Sequence, residues 1–235
     1  MIGASRNSAR RAQSNAEAKM PTQNAVVDRI PVNESFSTPA SEESLGRAAA
    51  ALTAHGFEVH VVDTGAQARD LALSLIPDGS EVGQGASVTL DGIGVTEVVN
   101  TSPRFVAVRP RIRNMDRATQ GGEIRRLGSA PDVQLNSVQA ITEDGSVLVA
   151  SFSGSQIAPI GYGAGRVILV AGIQKIVPDV AAGLRRIEEY SYPLEDARME
   201  EAFGRHSAIN RVLILKGEAM PGRTAVILVR EPVGV

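Results

Sequence analysis

Cysteine is absent from all 235 residues, and so is tryptophan. The first absence removes disulfides, thiolate metal ligands, iron–sulfur ligation and a cysteine nucleophile. It suits a reducing compartment without requiring one. Aromatic residues make up only 3% of the chain, too few for base-stacking platforms. Formal net charge is −2 and the pI is near 6.0, so the sum of charges gives no basic footprint for nucleic acid. No apolar run approaches the ~18–20 residues of a membrane span. Arg10-Arg11 is not followed by the apolar stretch of an export signal. Together these absences lead us to expect a cytoplasmic protein with neither nucleic-acid nor membrane partners. His55, His60 and His206 show no metal-ligand spacing, so no metal is expected. P-loop, EF-hand and Gly-x-Ser-x-Gly patterns are all missing.

What is present is apolar and small. The hydrophobic share of 43% is enough for a sizeable core, and the length fits one large domain, or one domain with a tail. Residues 1–37 are rich in Ala, Ser, Asn, Gln and Arg with little periodicity, and are expected to form a disordered tail or one ordered only by a partner. Ala25-Val26-Val27 with Ile30 is the one stretch there able to dock as a helical turn. From Thr38 to the end we expect a single α/β domain without internal repeats.

Leu45, Ala48, Ala49 and Leu52 recur at helical spacing, with Glu42 and Glu43 in the first turn and Gly56 past the end. Phe57, Val59 and Val61 then alternate as in a half-buried strand. Thr64-Gly-Ala-Gln67 has the spacing of a capping box, ahead of Ala68, Leu71, Ala72 and Leu75 on one face. Pro77-Asp78-Gly79 turns into a strand near Ser80–Gly83. Farther on, Val167–Val170, Val212–Leu215 and Ala225–Val229 are continuous apolar runs. Strands of a parallel or mixed sheet covered on both faces read this way. A helix with Pro178 in its first turn carries Val180, Leu184 and Ile187 on one face. Asp144-Gly145 is a hairpin turn, so an antiparallel pair should interrupt the parallel order. The fold class expected is α/β, with a mixed, mostly parallel sheet flanked by helices.

Five places carry side chains suited to chemistry, each with a plain structural explanation beside it. At Gly83-Gln-Gly85-Ala-Ser87-Val-Thr89 a strand ends in two glycines and Ser87 stands ready to cap a helix. Gly85, Ser87 and Thr89 would suit a phosphate or carboxylate, or would form an ordinary strand–turn–helix. This is not a dinucleotide fingerprint, because Val88 occupies the third glycine position. Gly161-Tyr-Gly163-Ala-Gly165 precedes a strand and reads as a flexible lead-in, with Tyr162 available to a pocket. Asn136, Glu143 and the Ser153–Gln156 loop with Ser155 surround core strands. Glu143 is the candidate general base or nucleophile, and Asp144 the turn residue. Lys175 lies beyond a strand's carboxyl end, where it meets either an anionic ligand or solvent. Arg223 either clamps a carboxylate or phosphate, or pairs with Glu231.

The ordered set Ile76-Pro-Asp-Gly79, Gly85–Gly94, Asn136–Gly145, Arg166–Val177 and Pro221–Gly234 resembles the lactate-utilisation (LUD) domain family over about residues 45–235. The resemblance implies a fold like ribose-5-phosphate isomerase and the CoA-transferases. It also implies a component of a system oxidising L-lactate to pyruvate beside iron–sulfur partner subunits. Relatives carry a cysteine cluster between the long helix and the penultimate strand. Here Glu195–Asn210 holds none, so the resemblance implies a non-redox component with no cofactor of its own. It would bind a small organic anion or its partner subunits. The alternative is a stand-alone isomerase or transferase acting on a sugar phosphate or acyl group, with Glu143 as its central residue. The composition also allows a homodimer.

Overall fold

In a computed structural model, residues 30–235 are described. The expectations for the chain before Ile30, Ala25-Val26-Val27 among them, lie outside the described residues. Just after, Glu34–Ser37 form a 3-10 turn capped by Asn33, whose side chain accepts from the Ser35 amide. Asn33 also bonds Glu189 through both its backbone and its side chain. Packing against the domain therefore begins before the expected boundary at Thr38.

Helix α1 (Glu42–Ala54) starts where Ser41 caps the Ser44 amide, and buries Leu45, Ala48 and Leu52. Strand β1 (Glu58–Val62) follows. Helix α2 (Gly65–Ser74) opens with both arms of the Thr64/Gln67 capping box in place. Next come β2 (Glu81–Gln84), α3 (Val88–Gly92), α4 (Val95–Thr101), β3 (Val106–Ala107), α5 (Val108–Arg113) and α6 (Gly121–Ser129). Strands β4 (Val133–Ser137), β5 (Ala140–Thr142), β6 (Val147–Ser151), β7 (Arg166–Gly172) and β8 (Ile176–Val177) lead to α7 (Val180–Arg186). Helix α8 (Tyr192–Phe203), β9 (Arg211–Leu215) and β10 (Thr224–Val229) complete the chain.

Six strands form one sheet in the order β1-β10-β7-β4-β2-β3, every neighbouring pair parallel. The middle strands β7 and β10 are buried along nearly their whole length, which is why their sequences run apolar without alternation. Alternate residues serve two cores. Ile168, Val170, Ile227 and Val229 face α2, α3 and α4. Val167, Leu169, Val226 and Leu228 face α1 and a second sheet. That sheet runs β8-β5-β6-β9, and its far side carries Ala140, Leu148, Val177 and Ile187 with flanking residues of α7.

The antiparallel hairpin is thus real but leaves the parallel order intact, because it belongs to the separate sheet. Asp144 accepts from the Thr142 hydroxyl at its turn. Gly145 has φ +81°, and a Cβ there would sit 2.7 Å from the Ala51 carbonyl carbon. One strand differs from expectation. The apolar run Val212–Leu215 is not a buried strand of the parallel sheet but the partly exposed edge of the small one.

The GYGAG segment differs as well. Pro159–Gly163 coil into a π-helical turn, and Tyr162 is 84% exposed to solvent. Gly163 is needed for close approach rather than flexibility, since a Cβ there would fall 1.8 Å from the Ser129 carbonyl oxygen. Gly163→Ala should therefore cost about 1–3 kcal/mol through forced backbone displacement. A urea midpoint equal to wild type would show that the Ser129 backbone yields freely.

Candidate functional site

From β2 the chain moves outward to β3, then returns on the other side of β2 to form β4. The reversal opens a crevice at the carboxyl ends of β2 and β4, the position where open α/β sheets hold ligands. A cleft of about 1290 Å³ lies there. Its walls include Gly85, Ser87 and Thr89 from the β2–α3 connection, Asn136 and Ser137 from β4, Ser155 and Gln156 from the loop after β6, and Lys175 from the turn after β7. Six of the residues singled out from sequence thus converge: Gly85, Ser87, Thr89, Asn136, Ser155 and Lys175.

Close packing shapes the inner wall. A Cβ on Gly85 would lie 2.7 Å from Asn136 Oδ1 and 3.0 Å from Gln156 Oε1, so glycine lets this backbone pass both amides. Asn136 Nδ2 donates to the Ser137 carbonyl at 2.7 Å and Gln156 Nε2 to that of Ala150 at 2.9 Å. Ser87 caps α3 by accepting from the Leu90 amide, and α3 is a single short turn. At the lip, Ser153 and Ser155 bond one another at 3.0 Å.

Lys175, on the same wall, is only 2% exposed. Its ammonium donates to Thr89 Oγ1 at 2.9 Å, Ser137 Oγ at 2.9 Å and the Val138 carbonyl at 3.2 Å. No carboxylate pairs with it among the described residues. Burial pushes its pKa well below the usual lysine value, and the charge of Arg186 pushes the same way. Arg186 is itself fully buried, donating to the Gln139 carbonyl and to Ser191 Oγ, with Tyr190 beneath its guanidinium at 5.0 Å. Its Nε and Nη2 have no partner, and burial lowers its pKa to about 10. Lys175 on the cleft wall and Arg186 behind it are thus both buried with no acid paired to them among the described residues. Next to Lys175, Gln174 Nε2 holds the carbonyls of Val233 and Gly234 at 3.0 and 3.1 Å, tying residues 233–234 beside the site.

Sequence reasoning missed the rim. Arg109, Arg113, Arg117, Arg125, Arg126 and Arg205 line the cleft, and none has an ion-pair partner among the described residues. Among the described residues the only acid lining it, Glu195, is held by Arg198 at 2.7 and 2.8 Å. Arg109 reaches inward, with Nη1 3.4 Å from the Gly85 carbonyl. Burial lowers its pKa, and the charges of Arg113 and Arg198 lower it further. The net charge of −2 conceals this local excess. Ser137 was also missed, although it adjoins Asn136.

Two expected site residues lie elsewhere. Glu143 projects toward α1 and is bound by Arg47 Nε at 2.7 Å, which holds its carboxyl below the usual range. Arg223 is buried against Glu218 at 3.0 Å, not Glu231, and donates to the carbonyls of Ala164, Pro159 and Ile160. Glu231 instead accepts from the Gly65 amide at 2.8 Å. Among the described residues no cluster of His, Asp or Glu has the arrangement of a metal site, and no helix is long and apolar enough to cross a membrane.

None of the curated proteins compared matches the chain. Among solved structures, a DUF162 family protein from Deinococcus radiodurans superposes with a TM-score of 0.50 at 16% identity, covering 81% of this chain and 99% of that one. At that identity the likeness speaks for the fold alone. eIF2B beta from Chaetomium thermophilum gives a TM-score of 0.36 at 15% identity, over 50% of this chain and 44% of that one. The model of the LUD domain matches residues 45–229, from α1 through the last strand, and includes nearly every wall of the cleft. The chain belongs to the LUD domain family, which is associated with lactate utilisation.

Proposed function

We propose that this chain is a non-redox component of L-lactate (organic-acid) utilisation, and that the switch-point cleft holds the carboxylate of a small organic acid against Lys175. The observation that carries the reading is a buried ammonium with three oxygen acceptors and no countercharge, on the wall of an open cleft. An anion supplies the missing charge, and the Thr89 and Ser137 hydroxyls stand beside the same nitrogen to bond it. Gln84, also on the wall, has a buried Oε1 without a partner, an acceptor suited to the hydroxyl of a 2-hydroxy acid. Oxidising that hydroxyl needs an acceptor for two electrons. With no cysteine in the chain to hold a cluster, this reading assigns the acceptor to iron–sulfur partner subunits.

Calorimetric titration with L-lactate and pyruvate tests the reading, and should give saturable binding that Lys175→Met abolishes. Absence of binding to either acid at millimolar concentration, together with failure to capture iron–sulfur partner subunits, would sink it. Against the isomerase or transferase alternative stands the pairing of Glu143 with Arg47, outside the cleft lining. Glu143→Ala should accordingly leave the affinity for lactate and pyruvate unchanged. A several-fold loss of affinity in that variant would bring Glu143 back into the site.

A further inference from the structure

The cleft carries more positive charge than a three-carbon monocarboxylate neutralises. Lys175 alone matches one carboxylate, and six guanidiniums with no ion-pair partner among the described residues remain along the rim. Elsewhere most arginines among the described residues are paired, Arg211 and the buried Arg186 excepted: Arg69 with Asp70, Arg104 with Asp78, Arg166 with Glu58, Arg230 with Glu42 and Asp63. The contrast is sharpest within α5. Arg111 turns away from the cleft and pairs with Glu81, while Arg109 and Arg113, four residues apart, both line it. Like charges at that spacing repel, and Arg109 is partly buried as well. Such an arrangement is relieved by a multiply charged anion.

Resting on the reading of Lys175 as a carboxylate site, we propose that the rim is a second subsite for a phosphate-bearing organic anion. Its phosphoryl group lies between Arg109 and Arg113, with Arg125 and Arg126 on α6 supplying further charge. A phosphoryl group fits because it carries about two negative charges and several acceptor oxygens, which guanidinium forks engage in pairs. Phe152, 55% exposed at the cleft wall, offers a flat apolar face to a base or other ring on the same ligand. The inner subsite, about Lys175, is left free for the acid, so both ligands are bound together.

Inorganic pyrophosphate, ribose 5-phosphate and ADP are the probes, titrated into the full chain with and without saturating L-lactate. Pyrophosphate should bind saturably, weaken steeply as salt is raised, and lose at least about tenfold in affinity in Arg109→Gln/Arg113→Gln. Arg125→Gln/Arg126→Gln, on the neighbouring helix, should weaken it by a smaller factor, and provides the test if the first variant fails to fold. ADP binding tighter than pyrophosphate places a base beside Phe152, and equal affinities leave the phosphoryl group as the element recognised. Both results support the subsite. No saturable binding of any probe, binding indifferent to all four arginines, or binding only to a polymer such as heparin overturns it. The two readings fail separately: lactate binding that survives in the arginine variants while phosphate binding is lost is the expected pattern. Loss of lactate binding in Lys175→Met with pyrophosphate binding intact leaves the rim standing on its own.

Discussion

Arg223→Met should lower folding stability by about 3–5 kcal/mol, the usual loss when one partner of a buried ion pair is removed, and leave ligand affinity in the cleft unchanged. Arg223 and Glu218 have side chains only 6% and 9% exposed. The guanidinium also donates to the carbonyls of Pro159 and Ile160 in the π-helical turn and of Ala164 just after it. Glu218 accepts in addition from Thr224 Oγ1 at 2.6 Å and the Met220 amide at 3.0 Å. Burial by itself would raise the Glu218 pKa. Thr224, Met220 and Arg223 outweigh it, and the folded value is depressed. Its contribution is therefore present above the unfolded value of about 4.3 and is lost as pH falls through the folded one. Without Arg223 the carboxylate is buried beside no cation, so its pKa moves up and it gains stability by taking a proton. The gap between wild type and variant should then narrow as the pH is lowered toward 4. Urea denaturation across that range measures it. A neutral-pH loss under about 1 kcal/mol, or a fall in ligand affinity in folded protein, would return Arg223 to the role of ligand clamp.

The two roles imagined for Arg223 show where sequence reasoning stops. A lone arginine ahead of a strand states its charge but not its partner. Its partner lies five residues back, in a loop with no periodic signal, and its other contacts are carbonyls of an unusual helical turn about 60 residues away. Glu143 failed for a related reason. It stands beside a hairpin, as expected, but the hairpin belongs to a second sheet packed on α1, and Arg47 is waiting there. Nothing in local spacing distinguishes a strand of the main sheet from one of a satellite sheet. The same ambiguity misplaced Val212–Leu215, whose apolar run is that of a buried strand although it forms an edge.

Elements governed by nearest-neighbour chemistry were legible. The Thr64/Gln67 box, the Ser87 cap and the Asp144-Gly145 turn depend on residues within four positions of each other, and all three form. Gly85, Asn136 and Lys175 were found because loops at strand carboxyl ends converge in this class of sheet. The arginine rim was legible and overlooked. Between Arg104 and Arg126 stand seven arginines against Asp116 and Glu123, a local excess that a whole-chain sum erases. A charge total taken over a short window would have revealed it.

Lys175→Met should abolish small-anion binding and flatten the rise of stability toward alkaline pH. Methionine keeps the apolar stem and removes the ammonium. A charge-assisted hydrogen bond contributes about 1.5–3 kcal/mol, so affinity should fall by about 10- to 100-fold, which takes binding out of the range that titration at millimolar ligand detects. The pH argument follows from the direction of the shift. Burial, aided by Arg186, holds the folded pKa of Lys175 below its unfolded value of about 10.4. Between those two values the unfolded chain keeps a proton that the folded chain has released. Wild-type stability therefore rises with pH across that window by up to about 1.4 kcal/mol per unit, and is flat with respect to this group below it. In the variant that slope disappears, so the two stability profiles should diverge as the pH rises toward 10, with wild type gaining. An anion in the cleft acts in the opposite direction, because its charge favours the ammonium and draws the folded pKa back up. Binding should then be accompanied by proton uptake within the same window, read as a dependence of the calorimetric heat on the ionisation enthalpy of the buffer. The variant should show none. Parallel stability profiles together with buffer-independent heats would mean that Lys175 keeps its proton throughout. It would then be a fixed cation bonded to Thr89, Ser137 and Val138, with no titration coupled to the ligand.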